Sequence, residues 1–502
     1  MTDPGHHPRL RIEVHRAHVE GDRVTFAWEQ SAPNPHQLRN QWFMRYPGLE
    51  LTGFAPELLL EVFLALQLKV WAAHPGRVEI RLPVAMPQWS VAFWADYHRA
   101  TNLAILPLAE NRPRDPWPGG ASGLHPTYDH IVFFGGGKDS GTAASLLEEI
   151  GGPGSTLLLS AIAPLEPGAG AERLVQRRIV EFIHQPVSAA TGLPTAVFHS
   201  DYSSNVRPGK AHPQPFLEFY HAGTLPILIA HYVRLSSVGH ARNDYFALAA
   251  PGSTPPPHRW SGRPETLAAI SAHYRRSWGL DIMPMSLVSP LSVNATFVFI
   301  SQRYPAMNAS FVSCPHTRAP WCHSCVKCLR NLFGTLSAGV PQARFDYDRM
   351  LRSPLVAELM TAIRAHDRQT GRYLMHPNMF KNWSSLVERM SQIAMIRPAT
   401  LDRVLAPVTR RIFDELRDHY DGPLHPPSLQ IPRAAIALLP PSMRTPITDI
   451  LGAHFELIDD LADVPFPDGT TLMPSWHVPL TLAREVERLV PDWARPAGLT
   501  TN

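Results

Sequence analysis

The sequence IVFFGGGKDSG at residues 131–141 is the strongest indication of the fold class of this chain. It consists of a short apolar run followed by a glycine-rich turn. The next residues, TAASLLEE at 142–149, have a helical pattern. A second apolar run, TLLLSAI, follows at 156–162. Short apolar runs that alternate with helices are typical of parallel strands buried on both faces. We therefore predict an α/β fold with a doubly wound parallel sheet.

This α/β region is predicted to occupy residues 126–339. A Pro- and Gly-rich segment at 111–126 marks its beginning, because these residues interrupt helices and strands. Residues 1–125 mix alternating and helical apolar patterns, which indicates an α+β N-terminal region. Residues 340–502 are punctuated by proline and predict a mainly helical C-terminal region without a chemical motif.

The amino-acid composition limits the functional classes to which this protein can belong. The 502 residues include 46 Lys+Arg and 43 Asp+Glu, for a formal net charge of +3. This near balance gives no indication of nucleic-acid binding. No N-terminal signal pattern and no apolar stretch of about 18 residues is apparent in the sequence. We expect a cytoplasmic protein that does not enter a membrane.

The glycine turn, Gly135–Gly137, predicts an anion site. Glycine allows close backbone approach, so successive N–H groups can converge on phosphate oxygens at the start of the next helix. Lys138, Asp139 and Ser140 add charge and hydrogen-bonding groups. A Walker A loop would need Ser or Thr directly after the lysine, and a dinucleotide fingerprint would need glycine at position 140. The alternative is a tight turn that binds no ligand.

The cysteines predict a metal site. All four lie in one fifteen-residue segment, at Cys314, Cys322, Cys325 and Cys328. Four thiolates at this spacing suit tetrahedral Zn²⁺. His316 and His323 lie within the segment, so one of them could replace a thiolate. An iron–sulfur cluster and four unrelated buried thiols are the alternatives.

The loop from Gly135 to Ser140 resembles the PP-loop of the N-type ATP pyrophosphatases, usually Ser-Gly-Gly-x-Asp-Ser, with Gly135 standing where the first serine usually sits. The resemblance implies an adenine nucleotide alpha hydrolase-like domain that cleaves ATP between the α and β phosphates. It further implies that Gly136, Gly137 and Ser140 bind phosphate. The chain would use ATP and Mg²⁺ in addition to Zn²⁺.

The same resemblance implies roles for the polar residues of the loop. Asp139 would serve the Mg²⁺-pyrophosphate, and Lys138 would be an added cation. We therefore predict Lys138, Asp139 and Ser140 as catalytic residues, and Gly135–Gly137 with Ser140 as nucleotide-binding residues. Arg242 and Asp244 follow an apolar run and are also predicted to bind the nucleotide, with ordinary capping and ion pairing as the alternative. The segments 201–205 and 207–210 follow the third apolar run and are expected to form a solvated loop more than a substrate contact.

Together the two motifs resemble two PP-loop families. UDP-N-acetylmuramoyl-L-alanyl-L-glutamate epimerases have a long N-terminal region, a Gly-Gly-Gly-Lys-Asp-Ser loop, and a Ser-Cys segment leading to Trp-Cys-x-x-Cys-x-Lys-Cys, as at Ser313–Cys314 and Trp321–Cys328 here. Weaker likenesses lie at 221–226, 239–243 and 258–261, so the resemblance spans roughly residues 50–340. The 7-cyano-7-deazaguanine synthases have nearly this cysteine spacing, but they begin with the PP-loop.

The resemblance implies an adenylating enzyme that forms AMP and pyrophosphate and acts on a small-molecule carboxylate. The first expectation is an epimerase of the terminal L-glutamate of UDP-MurNAc-L-Ala-L-Glu. The second is a deazaguanine synthase-like ligase that forms an amide or nitrile, including a relative recruited to modify a macromolecule. The third is a non-catalytic ATP-binding subunit. A protein partner or a homo-oligomer could complete the site.

Overall fold

The chain is described here from a computed structural model. The described residues are 9–117, 127–207, 217–241, 246–249, 264–364, 366–367, 372–373, 391–418, 429–459 and 471–474. The strands, in chain order, are β1 (Leu10–Val14), β2 (His18–Glu20), β3 (Arg23–Gln30), β4 (Gln41–Arg45), β5 (Val78–Pro87), β6 (Leu103–Ala109), β7 (His130–Phe133), β8 (Thr156–Ile162), β9 (Thr195–Ser200), β10 (Leu235–Ser237), β11 (Phe246–Ala249), β12 (Met283–Met285), β13 (His366–Asp367), β14 (Arg372–Tyr373), β15 (Ile431–Pro432), β16 (Leu457–Ile458) and β17 (Thr471–Pro474).

One π-helical segment, Arg178–His184, lies between the fourth and fifth α-helices. The α-helices, in chain order, are α1 (Pro56–Ala72), α2 (Gln88–Tyr97), α3 (Lys138–Gly151), α4 (Ala169–Arg177), α5 (Gln185–Thr191), α6 (Tyr202–Asn205), α7 (Leu217–His221), α8 (Leu225–Ala230), α9 (Pro264–Trp278), α10 (Val293–Arg303), α11 (Pro305–Ser310), α12 (Val326–Ser337), α13 (Tyr347–Leu351), α14 (Pro354–Arg364), α15 (Pro398–Asp402), α16 (Pro407–Asp418), α17 (Arg433–Ile436) and α18 (Pro441–Gly452).

A single large sheet organises the first two thirds of the chain. Its strand order is β12-β10-β7-β8-β9-β4-β3-β1-β5-β6, with β2 paired to β3. The five strands from β12 to β9 are all parallel. β4 joins β9 antiparallel, with Met44 opposite Ser200, so the N-terminal strands extend the same sheet. The α/β class is confirmed, with a sheet that is mostly parallel and becomes mixed at β4, β3 and β1.

Both faces of the parallel strands are buried. Val132 and Leu158 point into a core shared with α3 and α10, whereas Ile131 and Leu157 point into a second core shared with α1. Successive side chains of a strand face opposite sides, so a fully apolar run can fill two cores. Helices on both faces are compatible with the doubly wound arrangement.

A buried carboxylate connects three helices of the second core. Glu61 of α1 is 1% exposed. One of its oxygens accepts hydrogen bonds from the indole N–H of Trp94 at 3.1 Å and from the imidazole of His273 at 2.5 Å. The other accepts from the Ser90 hydroxyl at 3.0 Å and the Trp278 indole at 2.8 Å. The carboxylate thus ties α1 to α2 and α9.

The segment 201–205 is not a solvated loop, and that expectation was wrong, whereas residues 208–210 lie outside the described residues. It forms the short helix α6, and Tyr202 is fully buried with its hydroxyl donating to the Leu66 carbonyl at 2.9 Å. The Asp201 carboxylate accepts from the Phe43 amide at 2.8 Å. The N-terminal strands cover this end of β9, and this tertiary contact has no local sequence signal.

The described parts of the C-terminal region contain short helices together with the short strands β13 to β17. Several of these helices begin with proline, which fits the first turn because its missing N–H is not needed there. They are α14, α15, α16 and α18. Within the described ranges, no helix has the length and apolar character needed to cross a bilayer.

Candidate functional site

The glycine turn lies where β7 ends and α3 begins. Gly137 is the residue that precedes the helix, and Gly136 has φ +81°. The Val312 amide donates to the Gly136 carbonyl at 2.7 Å. A Cβ atom at Gly136 would lie 2.6 Å from the Ile183 Cδ1 atom and 2.7 Å from the Val312 carbonyl oxygen. The turn therefore requires glycine at 136 for its backbone conformation and for its packing.

We expect Gly136→Ala to destabilise the loop by about 1–3 kcal/mol, because it adds a strained left-handed residue and a steric clash. The matched control is Gly135→Ser, since a Cβ at Gly135 would meet no atom within 4 Å. Chemical denaturation should show a lower free energy of unfolding for the first variant and little change for the second. Equal effects of the two substitutions would contradict this geometry.

The first turn of α3 carries the three polar residues of the motif. Lys138 is 6% exposed; its ammonium ion pairs with the Asp139 carboxylate and lies 5.1 Å from the Phe297 ring centre. The Asp139 side chain is 30% exposed and so can be reached from solvent. The Ser140 hydroxyl donates to the Gly137 carbonyl at 3.2 Å. The structure thus brings a cation, a carboxylate and a hydroxyl to one helix start.

Two further residues support the loop from the core, and the sequence alone did not identify them. The Ser160 hydroxyl donates to the Phe134 carbonyl at 2.5 Å, and its oxygen lies 2.7 Å from Nε2 of His184. Since the single hydroxyl proton goes to the carbonyl, Nε2 of His184 is the donor in the second bond. Burial lowers the pKa of His184 to about 4, so the imidazole is neutral near pH 7.

Arg178 connects the glycine turn to the cysteine segment. Its Nε donates to the Cys314 carbonyl at 3.0 Å and its Nη2 to the Gly135 carbonyl at 3.4 Å. Burial lowers the pKa of Arg178, but a guanidinium with an ordinary pKa above 12 stays charged at neutral pH. Arg178 begins the π-helical segment, a type of distortion that is frequent at functional sites.

The four cysteines come together as the spacing predicts. Their Sγ atoms all lie within 4.8 Å of one another, with separations of 3.9 Å between Cys314 and Cys325, 3.8 Å between Cys322 and Cys328, and 3.6 Å between Cys325 and Cys328. A tetrahedron with Zn–S bonds of about 2.3 Å has edges of about 3.8 Å. The cluster therefore fits a zinc ion.

The two histidines of this segment, His316 and His323, accept hydrogen bonds from backbone amides. The His323 Nε2 accepts a hydrogen bond from the Asp346 amide at 3.0 Å. The His316 Nδ1 accepts from the Arg318 amide at 3.3 Å, and His316 is exposed. Among the described residues, the ligand atoms that lie within 4.8 Å of one another here are the four sulfurs, so these are the better ligand set.

We expect the purified protein to contain about one equivalent of zinc and no iron. Cys328→Ser should lower the zinc content and the unfolding temperature, because a structural zinc ion contributes to folding. Elemental analysis combined with thermal unfolding measures both. Less than about half an equivalent of zinc, or stoichiometric iron, would contradict the zinc assignment.

The loop and the cysteine cluster lie side by side. Ser313 approaches the turn, since a Cβ at Gly137 would lie 3.6 Å from the Ser313 Cβ. Lys327, an exposed residue of the first turn of α12, is within electrostatic range of Arg178, Arg330 and Asp139. The predicted residues Arg242 and Asp244 lie outside the described residues.

His221 is a further buried group near the end of β7. Its ring is 0% exposed and lies 5.6 Å from the Phe133 ring centre. Burial and the neighbouring His240 lower the pKa of His221 to about 3. The imidazole is therefore neutral near pH 7 and presents one donor and one acceptor.

These features describe one site at the carboxyl ends of parallel strands, the edge at which open α/β sheets bind ligands. Comparison of this chain with protein-family models, with curated proteins and with solved structures found no match.

Proposed function

We propose that this chain is an ATP-dependent enzyme that cleaves ATP between the α and β phosphates and activates a substrate carboxylate. The observation that carries the proposal is the Gly135–Gly137 turn between β7 and α3, followed at once by Lys138, Asp139 and Ser140. Backbone N–H groups at a glycine turn and a helix N-terminus favour bound phosphate.

The reaction is a displacement at the α-phosphorus. A carboxylate oxygen of the substrate forms a bond to the α-phosphorus, and the bond from that phosphorus to the bridging oxygen breaks, so pyrophosphate leaves with the electron pair. Lys138 supplies positive charge at the first turn of α3. Asp139 offers the hard carboxylate oxygen that Mg²⁺ prefers beside phosphates. Magnesium, when bound, would neutralise the charge that develops on pyrophosphate.

The resemblance to glutamate epimerases supports one substrate, UDP-MurNAc-L-Ala-L-Glu. Adenylation of the terminal carboxylate makes the adjacent Cα–H more acidic, so a base could remove that proton and the opposite face could be reprotonated. Water would then attack the acyl carbon and release AMP with the D-epimer. In a deazaguanine synthase-like ligase, ammonia or another amine would attack the acyl carbon of the adenylate of its own carboxylate, and AMP would leave as the amide forms.

The experiment is product analysis with Mg²⁺-ATP. The protein is incubated with a panel of carboxylates that includes UDP-MurNAc-L-Ala-L-Glu and 7-carboxy-7-deazaguanine with ammonia, and AMP and ADP are quantified by chromatography and mass spectrometry. We expect AMP that depends on one panel member. ADP as the product would contradict cleavage at the α-phosphate. ATP binding without AMP would support a binding subunit instead.

A further inference from the structure

Two carbonyl groups of the glycine turn are held by donors from neighbouring segments. The Gly135 carbonyl accepts from Nη2 of Arg178 at 3.4 Å, and the Gly136 carbonyl accepts from the Val312 amide at 2.7 Å. In a trans peptide, the N–H of the next residue points away from the carbonyl. These two hydrogen bonds therefore determine the direction in which the amides of Gly136 and Gly137 point.

Both donors are connected to Cys314, the first cysteine of the metal site. Val312 precedes Cys314 by two residues. Ser313 lies between them and packs against the turn, since a Cβ at Gly137 would be 3.6 Å from the Ser313 Cβ. The Cys314 carbonyl accepts from Nε of Arg178 at 3.0 Å. Cys314 is thus joined to the turn both along the backbone and through one guanidinium.

A metal ion would restrict the position of Cys314. Seven residues separate Cys314 from Cys322, and this described interval contains no helix and no strand. The Sγ atoms of the four cysteines lie within 4.8 Å of one another, so bonds to one ion would tie Cys314 to the start of α12. A change in metal occupancy therefore acts on the residue that is joined to the turn.

We propose that the cysteine metal site positions the glycine turn, with Arg178 as the positioning residue between them. This positioning concerns the conformation of the turn itself and so does not depend on the proposed ATP chemistry. Coupling between two sites is reciprocal. A metal that stabilises this conformation of the turn is consequently bound less tightly when the turn is distorted.

The first test distorts the turn and measures metal binding. In Gly136→Ala, the added Cβ would lie 2.6 Å from Cδ1 of Ile183 and 2.7 Å from the Val312 carbonyl oxygen, so it pushes on both segments that flank the turn. We expect the zinc dissociation constant of the full-length protein, measured by competition with a chromophoric chelator, to rise about tenfold. The matched control is Gly135→Ser, which should stay within about twofold of wild type.

The second test leaves the sequence of the turn intact. Arg178→Met removes both carbonyl contacts and should also raise the zinc dissociation constant about tenfold. Arg178→Lys should recover part of the affinity, because an ammonium keeps the charge but lacks the planar fork of donors. The matched control is Arg177→Met, since Arg177 is exposed and ion pairs with Glu181 on the surface.

A third variant separates this coupling from a general loss of stability. Glu61→Gln alters the second core, away from the turn, and should leave the zinc affinity within about twofold of wild type. Circular dichroism establishes that each variant is folded before zinc is titrated. An equal loss of zinc affinity in Glu61→Gln would show that the affinity follows the stability of the fold, which overturns the proposal.

The remaining outcomes are equally decisive. A wild-type zinc affinity in folded Gly136→Ala would overturn the proposal, as would a loss confined to Arg178→Met, because Arg178 would then support only Cys314. These measurements use no nucleotide, so the expected losses in a protein that forms no AMP would sustain the coupling and refute the proposed catalysis. AMP formation with unchanged zinc affinities would do the reverse.

Discussion

Replacing Asp139 by Asn is expected to lower the rate of AMP formation by about a hundredfold or more without unfolding the protein. Asp139 is partly exposed at the first turn of α3 and ion pairs with Lys138. The amide cannot supply the negative oxygen that would hold Mg²⁺ against the departing pyrophosphate, and loss of one electrostatic contact in a transition state often costs about 10²–10³ in rate. AMP release under saturating ATP measures the effect.

The control for this variant is Asp281→Asn. Asp281 is an exposed carboxylate that ion pairs with Arg275 before β12, away from the carboxyl ends of the strands. Its removal should leave the AMP-forming rate within about twofold, because surface ion pairs contribute little. Circular dichroism establishes that both variants are folded. A wild-type rate in Asp139→Asn would refute the role given to the loop.

Replacing Glu61 by Ala is expected to destabilise the folded protein by about 3–5 kcal/mol. The substitution removes an acceptor shared by Trp94, Trp278 and His273, and it leaves buried donors without a partner. Glu61→Gln should cost less, because it keeps one acceptor oxygen. Urea denaturation measures both. The exposed Glu13→Ala serves as the control and should change the free energy of unfolding by less than about 0.5 kcal/mol.

The contribution of Glu61 to the free energy of unfolding is expected to decrease on acidification. Burial raises its pKa, but His273, Trp94 and Trp278 outweigh burial, so the pKa in the folded state is lowered. The stabilisation is therefore complete above the unfolded pKa of about 4.3 and is lost as the pH falls through the lower folded value. The difference in unfolding free energy between wild type and Glu61→Gln should shrink as the pH falls below about 4. A difference that grows on acidification would contradict this assignment.

Local sequence patterns were sufficient for the parts of the fold formed by neighbouring residues. The apolar runs at β7 and β8, the glycine turn between β7 and α3, and the four clustered cysteines all have their signal within about fifteen residues. Each depends on backbone freedom, apolar periodicity or ligand spacing, which a single segment displays.

Contacts between distant segments had no such signal. The pairing of β4 with β9 joins residues more than 150 positions apart through backbone hydrogen bonds, which do not depend on side-chain identity. In the sequence, Arg178 resembles any basic residue on a helix. In the folded protein its guanidinium donates hydrogen bonds to the carbonyls of Gly135 and Cys314. In the sequence, Glu61 resembles an exposed residue of an otherwise apolar helix. In the folded protein its carboxylate is buried and accepts hydrogen bonds from four side chains.

The antiparallel pairing of β4 with β9 covers a strand that would otherwise be an edge of the parallel sheet. If the sheet ended at β9, this strand would be an edge strand. The unpaired backbone amides and carbonyls of an edge strand can form hydrogen bonds with strands of other molecules. In this protein β4 pairs with that edge of β9, and the sheet continues through β3, β1 and β5 to β6. The N-terminal strands thus cover the edge of the parallel half of the sheet, and deleting them would favour strand pairing between molecules over a soluble fragment.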